Sequence, residues 1–160
     1  MDFKGTTDAR GLRVAIVVSR YNDFVTDRLK AGALEALAAA GASAVDVLDV
    51  PGAYEIPQAA RDAAATRRYD AVVCLGCLIR GETPHFDYIS ASVAHGIMDA
   101  SCLTGVPMSF GVLTTESAEQ ALERAVPGTA NKGYEAAMAA VEMATLGRAV
   151  RGASNGKAQP

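Results

Sequence analysis

The sequence predicts an α/β fold of three layers, with a four-stranded parallel sheet between helices on both faces. Two observations lead there. Short, β-rich apolar runs alternate along the chain with longer Ala- and Leu-rich stretches at helical spacing. One run, Ala71-Val-Val-Cys-Leu-Gly-Cys-Leu-Ile79, carries no charge, as a strand buried on both faces requires. Crossovers between parallel strands are right-handed, which distributes the helices over both sides of the sheet. The 160 residues suit one domain, placed at residues 1–150, and neither a linker nor an internal repeat divides it.

Residues 1–10 carry no pattern and read as an extended arm. Leu12 to Ser19 is the first strand and ends in the polar loop Arg20-Tyr-Asn-Asp23. The helix from Asp23 to Ala40 places apolar residues at Val25, Leu29, Ala33, Leu34 and Leu37, and Gly41 stops it. Ala44 to Val50 alternates, polar on one face, and is therefore an edge strand. Pro51-Gly-Ala-Tyr-Glu55 turns the chain into a second helix, Ile56 to Arg68.

After the central strand at 71–79, the loop Arg80-Gly-Glu-Thr83 leads to Pro84, which opens a helix without needing its missing N–H. Thr83 is the expected N-cap, and His85 falls in the first turn. Val106 to Thr114 is the fourth strand, and Thr115-Glu-Ser117 caps a short helix, Ala118 to Ala125. Val126-Pro-Gly-Thr-Ala130 breaks that helix, and a last one runs from about Asn131-Lys-Gly133 to Val150. The Gly, Ser, Asn and Lys content of Arg151 to Pro160 predicts a disordered tail. The expected strand order is 2-1-3-4, a small doubly wound, flavodoxin-like arrangement.

Composition excludes several classes of function. A net charge of −3 without a basic stripe argues against a general nucleic-acid binder. No apolar run approaches the ~20 residues of a membrane span, and Met1-Asp-Phe-Lys-Gly5 does not read as a signal peptide. The three cysteines, Cys74, Cys77 and Cys102, are odd in number and lie in apolar stretches. Cys74 and Cys77 have CxxC spacing, but three residues apart on a strand they point to opposite faces. No second pair completes a zinc site. The cysteines read as small core residues in a reducing cytosol, so the expected location is cytoplasmic.

In an open parallel sheet, ligands bind beyond the carboxyl ends of the strands at the switch point, here between the first and third strands. The loops ending there are Arg20-Tyr-Asn22, Pro51-Gly-Ala-Tyr-Glu55, Arg80-Gly-Glu-Thr-Pro-His85 and Thr114-Thr-Glu116. They bring aromatic faces, glycine backbone, carboxylates, hydroxyls and a histidine to one rim. Free N–H groups and the helix dipole at the start of the third long helix favour an anion. His85 in the first turn there is a candidate to exchange a proton with a bound ligand. A solvated histidine in a helical turn is the competing reading, and local sequence does not separate the two. The rim therefore predicts a pocket for a planar polar ligand with an anion seat beside it.

At these loops the sequence resembles the lumazine synthase family of riboflavin synthesis, over residues 10–150. The resemblance rests on Arg20-Tyr-Asn22, Val50-Pro-Gly-Ala-Tyr-Glu-Ile-Pro57, Ile79-Arg-Gly-Glu-Thr-Pro-His-Phe-Asp-Tyr88, Phe110-Gly-Val-Leu-Thr-Thr-Glu116, Gln120-Ala-Leu-Glu-Arg124 and Asn131-Lys-Gly133. It implies condensation of 5-amino-6-(D-ribitylamino)uracil with 3,4-dihydroxy-2-butanone 4-phosphate, without metal or organic cofactor. The products are 6,7-dimethyl-8-ribityllumazine, phosphate and water.

By the same resemblance Tyr21 stacks on the pyrimidine, and Asn22, Gly52, Ala53, Tyr54, Glu55, Leu78 and Ile79 line the pyrimidine and ribityl chain. Gly81, Glu82 and Thr83 bind phosphate through main-chain N–H groups, with the Glu82 side chain directed away. His85 carries protons, Phe110 is a wall contributed by a neighbouring subunit, and Arg124 and Lys132 pair with phosphate. Without the resemblance, both cations read as solvated helix charges and Glu55 as a plain charge at a helix start. Arg80 reads as an ion-pair partner and His95, midway along a helix, as structural.

The implied assembly is a homopentamer with shared sites, with riboflavin synthase as a further partner of the family. The arm could extend a neighbour's sheet. Twelve rings build a hollow shell of sixty subunits in some members; here the short turn Ala125–Ala130 favours that, whereas its Pro127 and lack of lysine do not. Two rival readings are opposed by particular residues. A flavin-holding storage protein of the same fold is opposed by the intact His85, Arg124 and Lys132. A flavodoxin-like signalling module lacks its acidic cluster, since Arg20-Tyr-Asn22 stands at the end of the first strand.

Overall fold

The structure is a computed structural model and describes residues 1–155. Four parallel strands, β1 (Arg13–Ser19), β2 (Ala44–Val50), β3 (Ala71–Ile79) and β4 (Met108–Thr115), lie in the order β2-β1-β3-β4. Five helices surround them: α1 (Asp23–Ala39), α2 (Ile56–Ala65), α3 (His85–Thr104), α4 (Ala118–Glu123) and α5 (Lys132–Asn155). The expected three-layer, doubly wound fold is the one observed.

Strand alternation divides the core in two. Val73, Leu75 and Cys77 face a cluster built with α1 and α5, whereas Val72 and Cys74 face one built with α2 and α3. The two CxxC thiols thus lie on opposite faces of β3, as the spacing requires. Seven successive residues of β3, Ala71 to Cys77, are buried. Each fully buried Val or Leu there stabilises the fold by roughly 1.5–3 kcal/mol, which makes β3 the spine of the molecule.

The two sheet edges differ chemically. β2 carries Asp46 and Asp49, and Asp46 accepts hydrogen bonds from the Tyr69 hydroxyl at 2.7 Å and from Arg68 at 3.4 Å. Inward or edge charges of this kind discourage pairing with another strand. β4, the other edge, carries no charged residue.

Several boundaries depart from the sequence reading. α2 ends at Ala65 rather than Arg68, because Arg67 takes a left-handed conformation, φ 56°. The N-cap of α3 is Pro84 rather than Thr83, with no side-chain cap, and His85 is the first helical residue. α5 continues to Asn155, so the first five residues of the expected disordered tail are helical; residues 156–160 lie outside the described residues. Cys102 is exposed rather than in the core. The N-terminal arm is irregular as expected, but part of it binds its own chain: Thr6 N–H donates to Thr145 Oγ1 at 2.8 Å, and Ala9 is fully buried. Among the described residues no helix is long and apolar enough to cross a membrane.

Candidate active site

Three of the four loops expected on one rim line a cavity of about 480 Å³ over the carboxyl ends of β1 and β3, whereas Thr114 and Thr115 of the fourth line a separate cavity, because β4 ends at the sheet edge. The walls of the rim cavity include Tyr21 and Asn22, residues Gly52 to Glu55, Leu78 and Ile79, Gly81, Thr83 and His85. The loop after β1 is tied at three points. Arg20 and Tyr21 N–H groups donate to the carbonyls of Val50 and Pro51 at 2.8 and 3.1 Å. Asn22, left-handed at φ 63°, donates its side-chain amide to the Cys77 carbonyl at 2.9 Å. These bonds fix the loop carrying Tyr21, 71% exposed, and both it and Tyr54, 62% exposed on the 3-10 turn Ala53–Glu55, line the cavity. Two open aromatic faces on one polar rim form a platform for a planar ring.

Glycine shapes the cavity in two ways. At Gly52 a Cβ would come 3.1 Å from Glu55 Oε2, so the missing side chain lets that carboxylate fold over the turn. At Gly81 a Cβ would meet nothing within 4 Å. Packing therefore does not demand Gly81; its bareness leaves the main chain approachable at the start of α3, where the helix dipole favours an anion. His85 lines the cavity at that helix start, while Glu82 stands exposed on the loop and does not line it.

Arg80 braces the loop. Its guanidinium lies 3.0 Å from Asp87 at the start of α3 and 3.0 Å from Glu116 after β4, and 4.5 Å from the Phe86 ring centroid. Glu116 and Asp87 push the Arg80 pKa up further, so it stays a cation, in the ion-pair role expected for it. His95 is exposed on α3, which gives no sign of the structural role expected of it.

Phe110, Arg124 and Lys132 are elsewhere. They line a second cavity, about 560 Å³, along the β4 edge and α5, which shares no lining residue with the first. Phe110 is 48% exposed there. The Lys132 N–H donates to the Arg124 carbonyl at 2.9 Å, the Arg124 guanidinium donates to the Gln120 carbonyl at 2.9 Å, and Lys132 Nζ pairs with Glu135 at 2.7 Å. Glu135, Phe86 and Ile89 were not anticipated as lining residues. Glu135 had a signal, since it lies three residues after Lys132 on one helix face.

One chain thus carries a ring platform with a histidine on its carboxyl rim, and a pair of cations beside an aromatic on its edge. Residues 11–148 match the family model described as 6,7-dimethyl-8-ribityllumazine synthase. The chain is 52% identical over 149 residues to the 6,7-dimethyl-8-ribityllumazine synthase of Syntrophus aciditrophicus (strain SB), covering 92% of this chain and 97% of that one. At such identity over nearly the whole of both chains, the match takes in the loops of both cavities, and the chain belongs to the 6,7-dimethyl-8-ribityllumazine synthase family.

Proposed function

We propose that the chain condenses 5-amino-6-(D-ribitylamino)uracil with 3,4-dihydroxy-2-butanone 4-phosphate to give 6,7-dimethyl-8-ribityllumazine, phosphate and water, at sites completed by two adjacent subunits. One observation carries the second half of this reading. The residues suited to a planar ring and a proton transfer line one cavity, and the cations suited to a phosphate line another that shares no residue with it.

Tyr21 stacks on the pyrimidine, and Tyr54 and Glu55 with the Gly52–Ala53 backbone, Asn22, Leu78 and Ile79 line the ring edge and ribityl chain. The phosphate lies against Gly81 and Thr83 at the start of α3, with Arg124 and Lys132 of the neighbouring subunit opposite and Phe110 of that subunit as the wall. Glu135 holds the Lys132 ammonium in place. The ribityl-substituted pyrimidine's amine attacks the ketone and water leaves, giving an imine. His85 then takes the proton whose removal allows phosphate to depart, and ring closure with a second loss of water completes the pyrazine ring. Holding two substrates in one pocket converts a bimolecular encounter into a step within one complex. His85 adds about 10²–10⁴-fold where proton transfer limits the rate.

The charge-free β4 edge supports a neighbour there, because an edge strand without charge needs a cover. Tyr88, Met98 and Leu103, all more than 60% exposed on α3, are further apolar surface for contact between copies. A head-to-tail contact repeated around an axis closes a ring, and we take that ring to have five members. Mixing the purified protein with both substrates and following lumazine absorbance tests the activity; unconsumed substrates with stoichiometric lumazine binding would establish a storage role instead. Light scattering tests the assembly. Five times the 16.5 kDa chain mass marks the ring, twelve times more the shell, and the mass of one chain removes the shared site.

A further inference from the structure

We propose that Asn131 is a positioning residue for the phosphate end of the site, its side-chain amide fixing the turn between α4 and α5 so that Arg124 and Lys132 stand on one cavity rim. The inference rests on the reading that these two cations hold the substrate phosphate.

Asn131 is 1% exposed, and its amide has partners on both sides. Oδ1 accepts from the N–H groups of Gly133 at 2.8 Å and Tyr134 at 3.3 Å, which caps α5. Nδ2 donates to the carbonyls of Val126 at 3.0 Å and Arg28 at 3.1 Å. One amide therefore joins three segments: the start of α5, the turn before it, and α1. An N-cap needs only the first pair of bonds. The second pair is a cross-link that needs two donated hydrogens; Asp has none to give and Ser or Thr only one.

Neighbouring glycines make room for the cross-link. A Cβ at Gly32 on α1 would collide with the Asn131 side chain, and one at Gly133 would collide with the Leu29 carbonyl. Glycine inside a helix is unfavourable, so two glycines at one helix contact indicate that close approach of α1 to this turn is required. The turn has little apolar packing of its own, because Val126, Pro127, Thr129 and Ala130 are exposed. With Val126 held by Asn131 and Lys132 N–H bonded to the Arg124 carbonyl, the turn is closed at both ends. The main-chain positions of the two cations follow from that closure.

Asn131→Asp and Asn131→Ser separate the two roles. Both keep an acceptor for the cap; Asp loses both donations to Arg28 and Val126 and Ser at least one, and the Ser variant adds no charge and serves where Asp does not fold. Steady-state kinetics should show KM for the butanone phosphate and the inhibition constant of inorganic phosphate raised roughly tenfold, with KM for the pyrimidine within about twofold of the parent. Variants matching the parent, or both KM values rising together, would reduce Asn131 to a cap or a folding residue and overturn the inference. Arg124→Ala measured alongside keeps the two readings apart. If it too lacks a selective effect on the phosphorylated substrate, the phosphate assignment itself is wrong; if its effect is selective while the Asn131 variants show none, only the positioning role falls.

Discussion

The side-chain amide of Asn22 donates to the carbonyl oxygen of Cys77 at 2.9 Å, joining the loop after β1 to the end of β3 where the strand order reverses. Asn22 precedes α1 but gives it no side-chain cap, and its backbone is left-handed. Both features can be separated by substitution. Asn22→Gly loses only the hydrogen bond, about 1 kcal/mol. Asn22→Ala loses the same bond and also leaves in the left-handed region a side chain without the local hydrogen bonding by which asparagine tolerates it, a further ~1 kcal/mol or more. Urea unfolding of the two variants should show that gap. Equal destabilisation would mean that the left-handed turn is not what asparagine supplies here.

His85→Ala is expected to lower kcat by as much as about 10²–10⁴-fold and to change either KM far less. Its position on the rim cavity at the start of α3 is the motive. A well-folded variant with unchanged kcat would leave substrate positioning as the whole of the catalysis.

Much of this was legible in the sequence, and the reasons differ by residue. β3 was readable because a charge-free run bounded by polar turns has few other fates, and strand geometry alone put Cys74 and Cys77 on opposite faces. Three of the four rim loops were readable because strand order dictates which loops meet. Cys102 was misread because α3 is apolar on more than one side: it buries Val93, Ile97 and Ala100 while exposing Met98 and Leu103, so hydrophobicity does not reveal which face meets the sheet. The separation of Phe110 and Arg124 from Tyr21 could be argued from strand position. Asn131 could not be read so, because its partners Arg28 and Val126 are carbonyls that any residue carries.

Arg80 offers a test of how much the loop depends on ion pairs. Its side chain is 39% exposed, and exposed pairs contribute at most about 1 kcal/mol. Arg80→Lys keeps the charge but cannot fork between Asp87 and Glu116 or stack on Phe86 in the same way. Stability is expected to fall by less than about 1 kcal/mol, while activity falls several-fold because the loop leading to His85 loses its brace. A loss of several kcal/mol in thermal unfolding would show that Arg80 serves the core instead.

The buried thiols give the protein an alkaline limit. Burial pushes the Cys74 pKa from 9.0 up to about 12 and that of Cys77 up to about 11. The folded state holds these protons more tightly than the unfolded one, so the associated stability is present in full below pH 9 and is lost as pH rises toward 11 and 12. Each thiol lowers the unfolding free energy by at most about 1.4 kcal/mol per pH unit in that window. Cys74→Ala with Cys77→Ala should flatten the alkaline part of a stability–pH curve; an unchanged slope would assign it to other groups.

The proposed division of the site between two cavities is tested most directly by mixing two impaired variants, assayed at a butanone phosphate concentration well below the KM of the Arg124 variant. His85→Ala damages the rim cavity and Arg124→Ala the edge cavity. Co-expressed and purified as mixed rings, the two variants should place intact rims beside intact edges at roughly a quarter of the contacts, and lumazine formation should recover to about that fraction of the parent. If each site lies within one subunit, every site carries a lesion, and the mixture will be no more active than the two variants measured apart.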